Sequence, residues 1–424
     1  MDESRVAVRR QKRLAALQVL YAKVLYNNGV ATLCIKYRLY PTKAQETLFH
    51  DTLALCREVY NSMVVERTAV YETQGKSLSR NDQNKNLTVW KQKFPEISTV
   101  HSQVLQNIAE RVDLAFKAFF RRIQNGEKAE TSFRRAGYPR LKGKGVYDSI
   151  TFPQLQTGGC KLVGGNIQVS KIGQVRCIVH RPLIGTPKTC TIRRLAGKWF
   201  ACFACEYEPV PLTESHDSVG IDVGLEKFAA LSDGSFVDNP RFFRRDEKAL
   251  TKAARKQSRT AKGSKPRRNQ PKTSFSRANK VLSRIHERIR NRRHNFVHQL
   301  AMKLVNRFGL IAVEKLNVKG MVSRKTRFDG GNHCLAKSIS DASWSQFRSV
   351  LTQKAESAVR RVVGVNPAYT SQTCSRCGNI AKKTLKERWH YCPICSLSLD
   401  RDTNAAFNIL KTALGTQSVA AIAA

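Results

Sequence analysis

Two groups of side chains in this sequence have the types and spacing to do chemistry. Cys374, Cys377, Cys392 and Cys395 form two C-x2-C units in TCSRCGNIAKKTLKERWHYCPICS, fourteen residues apart. Knuckles at that spacing bring four thiolates to tetrahedral geometry around one zinc ion, and Gly378 and Pro393 suit the tight turns they need. Four protein ligands close the shell, so this Zn²⁺ is expected to be structural and to do no chemistry. Cys202 and Cys205 in WFACFACEY share the spacing, but residues three apart on a strand point to opposite faces, so they read as packing residues.

The second group is acidic. Asp222 lies in VGIDVGLEKF, Glu314 in LIAVEKLNV and Asp402 in DRDTNAAFNIL, each among apolar or small residues. A carboxylate in a buried strand is costly to desolvate unless a cation compensates it, and a divalent metal does so efficiently. Two-metal phosphodiester hydrolysis needs such acids converging from separate strands and a helix start, around ions about 3.5–4 Å apart. All three would then be Mg²⁺ ligands. Each has a plainer alternative: Asp222 could cap a turn, Glu314 could pair with an arginine, and Asp402 could cap the NAAFNIL helix. Asp400 competes with Asp402, since both flank Arg401, and the residues alone do not separate them.

The elements that must position these groups fall into three stretches. Residues 31–40 (ATLCIKYRLY) read as a strand ended by Pro41, and short apolar alternations between 148 and 209 suggest a small β-barrel or sandwich completed by that strand. The stretch between them is helical from about 42 to 127, with Thr42 as N-cap and an apolar stripe of Leu48, Leu53, Leu55, Val59 and Met63. Near His216 a third unit starts: a hairpin with an Asp-Gly turn, a basic helix hairpin over 246–280, and a helix with Leu282, Ile285, Ile289, Phe296, Leu300 and Leu304 on one face. A buried strand then runs from Leu310 to Val313 and ends at Glu314, and a helix follows around Trp344–Ala358. Residues Arg9–Tyr26 could be misread as a signal peptide, but Lys23 interrupts the apolar run, and a short amphipathic helix fits better.

Charge limits the partners. The 424 residues carry 74 Lys and Arg against 32 Asp and Glu, a formal +42. Self-repulsion of that size calls for a polyanion, and basic residues running from Arg9 to Lys411 suggest a long channel for nucleic acid. In FRRAGYPRLKGKGVYDS, Arg134, Arg135, Arg140, Lys142 and Lys144 mix with Tyr138, a composition suited to phosphate contact. No apolar stretch of spanning length is present, which disfavours a membrane protein. Twelve cysteines are too dilute for a disulfide scaffold and fit a reducing cytosol.

Taken in order, YRLYPTKAQETLF with CREVYN, YPRLKG, GIDVGLEKFA, RIHERIRNRRHNFVHQLA, IAVEKLNVKGM, SISDASWSQFRSVLTQKA, VNPAYTSQTCSRCG and DRDTNAAFNIL resemble the TnpB family, relatives of the type V CRISPR effectors, across roughly residues 34 to 411. The resemblance implies an α+β multidomain protein. Its parts would be a RuvC/RNase H-like nuclease domain over 214–372 and 399–412, a zinc-ribbon insert at 373–398, a β-barrel wedge domain at 31–41 and 148–213, and a helical recognition domain with a basic linker at 42–147. Residues 1–30 and the tail 413–424 receive no role. The family's three metal-binding acids map onto Asp222, Glu314 and Asp402, which favours Asp402 over Asp400. The implied activity is metal-dependent DNA cleavage by a transposable-element enzyme, with two Mg²⁺ ions, guide RNA and target double-stranded DNA as partners, no membrane, a monomeric state and a cytoplasmic, nucleoid-associated location. Pairing with the guide would read sequence, while protein reads a short adjacent motif and the heteroduplex shape. Arg376 in the first knuckle and the basic segment 252–280 are candidate contacts for displaced strand and RNA. Three readings compete: a DNA transposase of an insertion sequence, a CRISPR-associated effector, and a non-cutting RNA-guided regulator. The first is disfavoured because no tyrosine nucleophile stands beside a paired-His motif; the intact acid trio argues against the last.

Overall fold

The computed structural model describes residues 31–124, 137–155, 158–210, 212–213, 215–262, 273–322, 335–381 and 387–422. The helix expected over Arg9–Tyr26, Arg134 and Arg135, and the centre of the basic hairpin (263–272) lie outside the described residues. The chain forms two compact units that divide between Glu208 and Pro209.

The first unit is built on strand β1 (Ala31–Tyr40), whose alternation buries Ile35, Tyr37 and Leu39 completely. After it come helices α1 (Lys43–Gln74), α2 (Arg80–Lys93) and α3 (Ser102–Gln124). Strands β2 (Ser149–Phe152), β3 (Cys160–Val163), β4 (Asn166–Val169), β5 (Gly173–Ile178), β6 (Thr186–Leu195) and β7 (Lys198–Tyr207) follow. All seven strands join one antiparallel sheet in the order β2-β6-β7-β1-β5-β4-β3. It curls so far that Cys160 Sγ of β3 lies 3.3 Å from Cys190 Sγ of β6, nearly closing it. Thr42 and Gln45 form a capping box at the start of α1. The buried stripe of α1 runs through Phe49, Leu53, Cys56, Tyr60 and Met63, and Phe49 stacks on Trp199 of β7 with centroids 4.7 Å apart. Leu48, expected in that stripe, is instead 44% exposed, one position off the face that meets the sheet. Cys205 is buried and Cys202 is on the other face of β7, as strand alternation requires.

The second unit holds a five-stranded sheet of β8 (Ser218–Val223), β9 (Lys227–Leu231), β10 (Phe236–Asp238), β11 (Leu310–Glu314) and β12 (Arg361–Val365), in the order β10-β9-β8-β11-β12. The β8, β11 and β12 ladders are parallel, and β8-β9-β10 is an antiparallel meander turned at Asp233-Gly234. Helices α4 (Phe242–Lys262) and α5 (Thr273–Arg307) make the basic hairpin, followed by α6 (Val318–Met321), α7 (Ala336–Ala342) and α8 (Trp344–Ser357). One sheet face packs Val219, Ile221, Ile311 and Val313 against α5 and α8. Phe228 meets Phe296 and Phe347 edge-on at 4.9 and 5.3 Å, geometries worth roughly 0.5–1.5 kcal/mol each beyond burial. The opposite face carries the last helix, α9 (Arg401–Ile422), with Ala312, Ile409 and Ala413 between them. A small hairpin of β13 (Trp389–Tyr391) and β14 (Ser398–Asp400) feeds directly into α9. Leu212 and Thr213 join this unit, where Leu212 N–H donates to Ala358 O and Arg360 bonds Thr213 O. No described helix is long and apolar enough to cross a membrane.

Candidate active site and metal centre

Strand periodicity puts two of the acids side by side. In the parallel β8/β11 ladder Val313 pairs with Ile221, so Asp222 and Glu314 follow on neighbouring strands at their C-terminal ends, where open α/β sheets form their sites. Ile221 and Val313 face the α5/α8 core, so Asp222 and Glu314 face the side of α9, together with Gly220 and Ala312. Gly220 sets how closely that helix approaches: a Cβ there would lie 2.0 Å from Ala406 O and 2.8 Å from Leu410 N. Gly220→Ala is therefore expected to push α9 off the sheet, costing about 1–3 kcal/mol as overpacking does, and to lower cleavage by displacing Asp402. Thermal unfolding and a cleavage rate measured on the same preparation check this, and an unchanged value in both would refute it.

The structure gives the two aspartates around Arg401 different tasks. Asp400 Oδ1 accepts from the N–H groups of Asp402 and Thr403, both at 3.0 Å, and from the Thr403 hydroxyl, which makes it the cap of α9. Asp402 lies in the first turn and bonds Arg401 Nε at 3.2 Å, with Arg388 Nη1 3.9 Å away. Burial, then the charges of Glu314 and Asp402, hold the Asp222 carboxyl well above the usual carboxylate range, while Arg401 opposes them. Burial also raises Glu314, whose Oε1 accepts from Thr370 Oγ1 at 2.7 Å. Glu314 and Asp402 thus both lie within electrostatic reach of Asp222. Among the described residues only the four cysteines place three or more ligand atoms all within 4.8 Å of one another. Oxygen donors of this kind suit hard divalent cations.

In the ribbon, Cys374 Sγ lies 3.5 Å from Cys395 Sγ, and Cys377 Sγ lies 3.5 Å from Cys392 Sγ. The two knuckles repeat one another: Gly378 N–H donates to Cys374 O and Ser396 N–H to Cys392 O. Both turn residues have positive φ, 78° at Gly378 and 56° at Ser396, so Ser396 rather than Pro393 fills the place that Gly378 has in the first knuckle. Backbone N–H groups, that of Cys395 foremost, lower the Cys392 thiol, while burial and the neighbouring sulfurs raise that of Cys395. Arg376 is exposed, with Nη1 3.5 Å from Cys395 O.

Several positioning residues are not distinguished by the sequence. Asn404 and Asn408, one turn apart on α9, hold the chain leading into the ribbon. Asn404 bonds Ser375 N and Thr373 O, and Asn408 bonds Thr370 O and Thr373 O. Thr370, in that same chain, holds Glu314. Their i, i+4 spacing was visible, but polar residues at that spacing usually mark a solvated helix face, and here Asn404 is fully buried.

Comparison with known proteins fits this arrangement. Residues 202–325 match a family model described as "Probable transposase", residues 344–409 one described as "Cas12f1-like, TNB domain", and residues 31–76 one described as "Helix-turn-helix domain". In the structure, 31–76 is strand β1 followed by the single helix α1. The chain is 31% identical over 387 residues to a Streptomyces pristinaespiralis protein named "Putative RNA-guided DNA endonuclease", covering 89% of each. It is 29% identical over 388 residues to the Escherichia coli protein named "Putative RNA-guided DNA endonuclease InsQ", covering 88% of this chain and 90% of that one. A solved Cas12f1 chain, from a complex with sgRNA and target DNA, shares the fold at TM-score 0.52 and 12% identity, covering 90% of this chain and 99% of that one. The mixed α+β architecture is thus RuvC-like with a zinc-ribbon-type insert, and with such identity across nine-tenths of both sequences the chain belongs to the TnpB family.

Proposed function

We infer that this protein is an RNA-guided DNA endonuclease encoded by an insertion sequence, and that Asp222, Glu314 and Asp402 are its metal-binding acids. The observation that carries the reading is the convergence of these carboxylates, from two parallel strand ends and a helix start, in a chain of this family. Mg²⁺ held by such oxygens would activate water and stabilise the leaving oxygen of a phosphodiester. The chain's own groups prepare the site: Thr370 orients Glu314, Arg401 holds Asp402, and the Asp400 cap fixes the helix start that carries it. Binding a cation would displace the proton that burial and neighbouring charge favour on Asp222. Cys374, Cys377, Cys392 and Cys395 would hold structural Zn²⁺. The formal charge of +42 supports guide RNA and target double-stranded DNA as partners. The barrel-like sheet would serve as wedge and the helices between β1 and β2 as recognition domain.

The protein purified from its native locus should carry a defined RNA and, with Mg²⁺, cut DNA matching that RNA. Joined DNA ends formed without RNA would instead support the transposase reading, which the description of the matched family favours.

A further inference from the structure

The seven-stranded sheet holds a thiol pair that the chemistry above leaves unused. Alternation along β1 buries Ile35, Tyr37 and Leu39 and turns Cys34, Lys36 and Arg38 to the outer face. In the antiparallel β1/β7 ladder Cys34 pairs with Ala204 and Lys36 with Cys202, so Cys34 and Cys202 are diagonal neighbours on that face. Their sulfurs meet, the Cys202 S–H donating to the Cys34 sulfur. Cys34 is exposed and Cys202 half-buried, so the pair is open to a small solute. Cys160 and Cys190, with sulfurs 3.3 Å apart, are completely buried and closed to one.

The surroundings decide which sulfur reacts. The hydrogen bond from Cys202, helped by the charges of Lys36 and Arg181, holds the Cys34 thiol below its ordinary value against the opposing effect of burial. The same bond, with burial, raises Cys202. Both cations are held in place: Lys36 Nζ lies 5.0 Å from the centre of the Phe200 ring, and the Tyr37 hydroxyl donates to Arg181 O at 2.8 Å. Cys34 therefore carries the thiolate and Cys202 the proton. An accessible thiolate beside a second thiol is the arrangement in which a peroxide oxidises one sulfur and the other resolves it.

We propose that Cys34 and Cys202 form a peroxide-responsive dithiol on the outer face of this sheet, with Cys34 as the attacking sulfur and Cys202 as the resolving one. The Cys34 thiolate attacks one peroxide oxygen, the O–O bond breaks, and the departing hydroxide takes up a proton as water, leaving a sulfenic acid. The Cys202 sulfur then attacks the sulfenic sulfur: the S–S bond forms, the S–O bond breaks, and the thiol proton leaves in a second water. Two thiols and one peroxide thus become one disulfide and two waters. Diagonal neighbours lie about 7 Å apart at Cα, the long end of disulfide geometry, so the bond is one that thiols reduce readily. Oxidation also removes the anion beside Lys36 and Arg181 and leaves the face more cationic. None of this depends on the nuclease reading.

The test exposes the full purified chain to hydrogen peroxide at neutral pH, blocks the remaining thiols and maps the cysteines by mass spectrometry. The wild type should give a Cys34–Cys202 disulfide that dithiothreitol reverses. Cys202→Ser keeps a hydroxyl donor but cannot resolve, so it should accumulate sulfenic acid at Cys34, trapped by dimedone. Alkylation of Cys34 by iodoacetamide gives a second readout, since only the thiolate reacts and the rate falls as pH drops through its midpoint. That midpoint should lie at least one pH unit below the free-thiol value of about 8.5 in the wild type and rise toward it in Cys202→Ala. Melting temperature and zinc content of the reduced variants should match wild type, which separates lost chemistry from misfolding. Sulfenic acid at wild-type Cys34 with no disulfide would remove Cys202 as the resolving sulfur. A Cys34 that peroxide leaves reduced in both wild type and Cys202→Ser, or that joins a sulfur other than Cys202, would overturn the proposal.

Discussion

Alanine in place of Asp222 is expected to slow DNA cleavage by about a thousandfold or more, about 4 kcal/mol at the transition state, while RNA and target-DNA binding stay within about twofold of wild type. The asymmetry follows from where the charge lies. One carboxylate is a small part of the field that 74 Lys and Arg residues create, but it would be one of only three acids in the proposed metal site. A second readout comes from the same geometry. Asp222 is crowded by Glu314 and Asp402 and by burial, so the charged form opposes folding. Asp222→Asn should therefore melt no lower than wild type in metal-free buffer, and higher if the repulsion dominates. A variant that is folded, binds target and does not cut is the expected outcome; one that cuts at the wild-type rate would end the assignment.

Serine at Cys374 or Cys392 is expected to take the protein from one bound zinc per chain to none, and to lose cleavage as well. Structural zinc contributes about 10–16 kcal/mol in ribbon-sized modules, comparable to the roughly 5–15 kcal/mol that stabilises a whole domain. The effect would not stop at the ribbon. The chain entering the first knuckle supplies the Thr370 hydroxyl to Glu314 and backbone carbonyls to Asn404 and Asn408. If those contacts loosen, Glu314 loses its orienting bond and α9 its tie near Asp402. Elemental analysis, thermal unfolding and a cleavage assay on one preparation check the chain of effects. Stoichiometric zinc in either serine variant would show that the thiolates are not its ligands.

Much of the local architecture was legible before any coordinates. Strand-forming residues ended by Pro41 marked β1, a short apolar run ending at Glu314 marked β11, the Asp-Gly pair marked the turn after β9, and the cysteine spacing marked the ribbon, because each of these patterns is satisfied within a few residues of chain. Helix faces were legible less finely. The stripe on α1 was placed one position off at Leu48, since side chains near an edge of the apolar arc can be read either way.

What the sequence determined by itself was which segments form elements, which residues can ligate metal, and that a polyanion must be a partner. Tertiary structure alone decided which groups meet. By their residues Asp400 and Asp402 are equivalent, and the family resemblance alone favoured Asp402; three hydrogen bonds make Asp400 a cap, and the helix turn leaves Asp402 near Asp222. Arg388, Thr370 and Asn404 acquire their tasks from partners 14 to 56 positions away, and Gly220 from a helix nearly two hundred residues later. Local preferences act over a few bonds, whereas these contacts depend on strand register and helix approach, which are fixed only when the whole core packs.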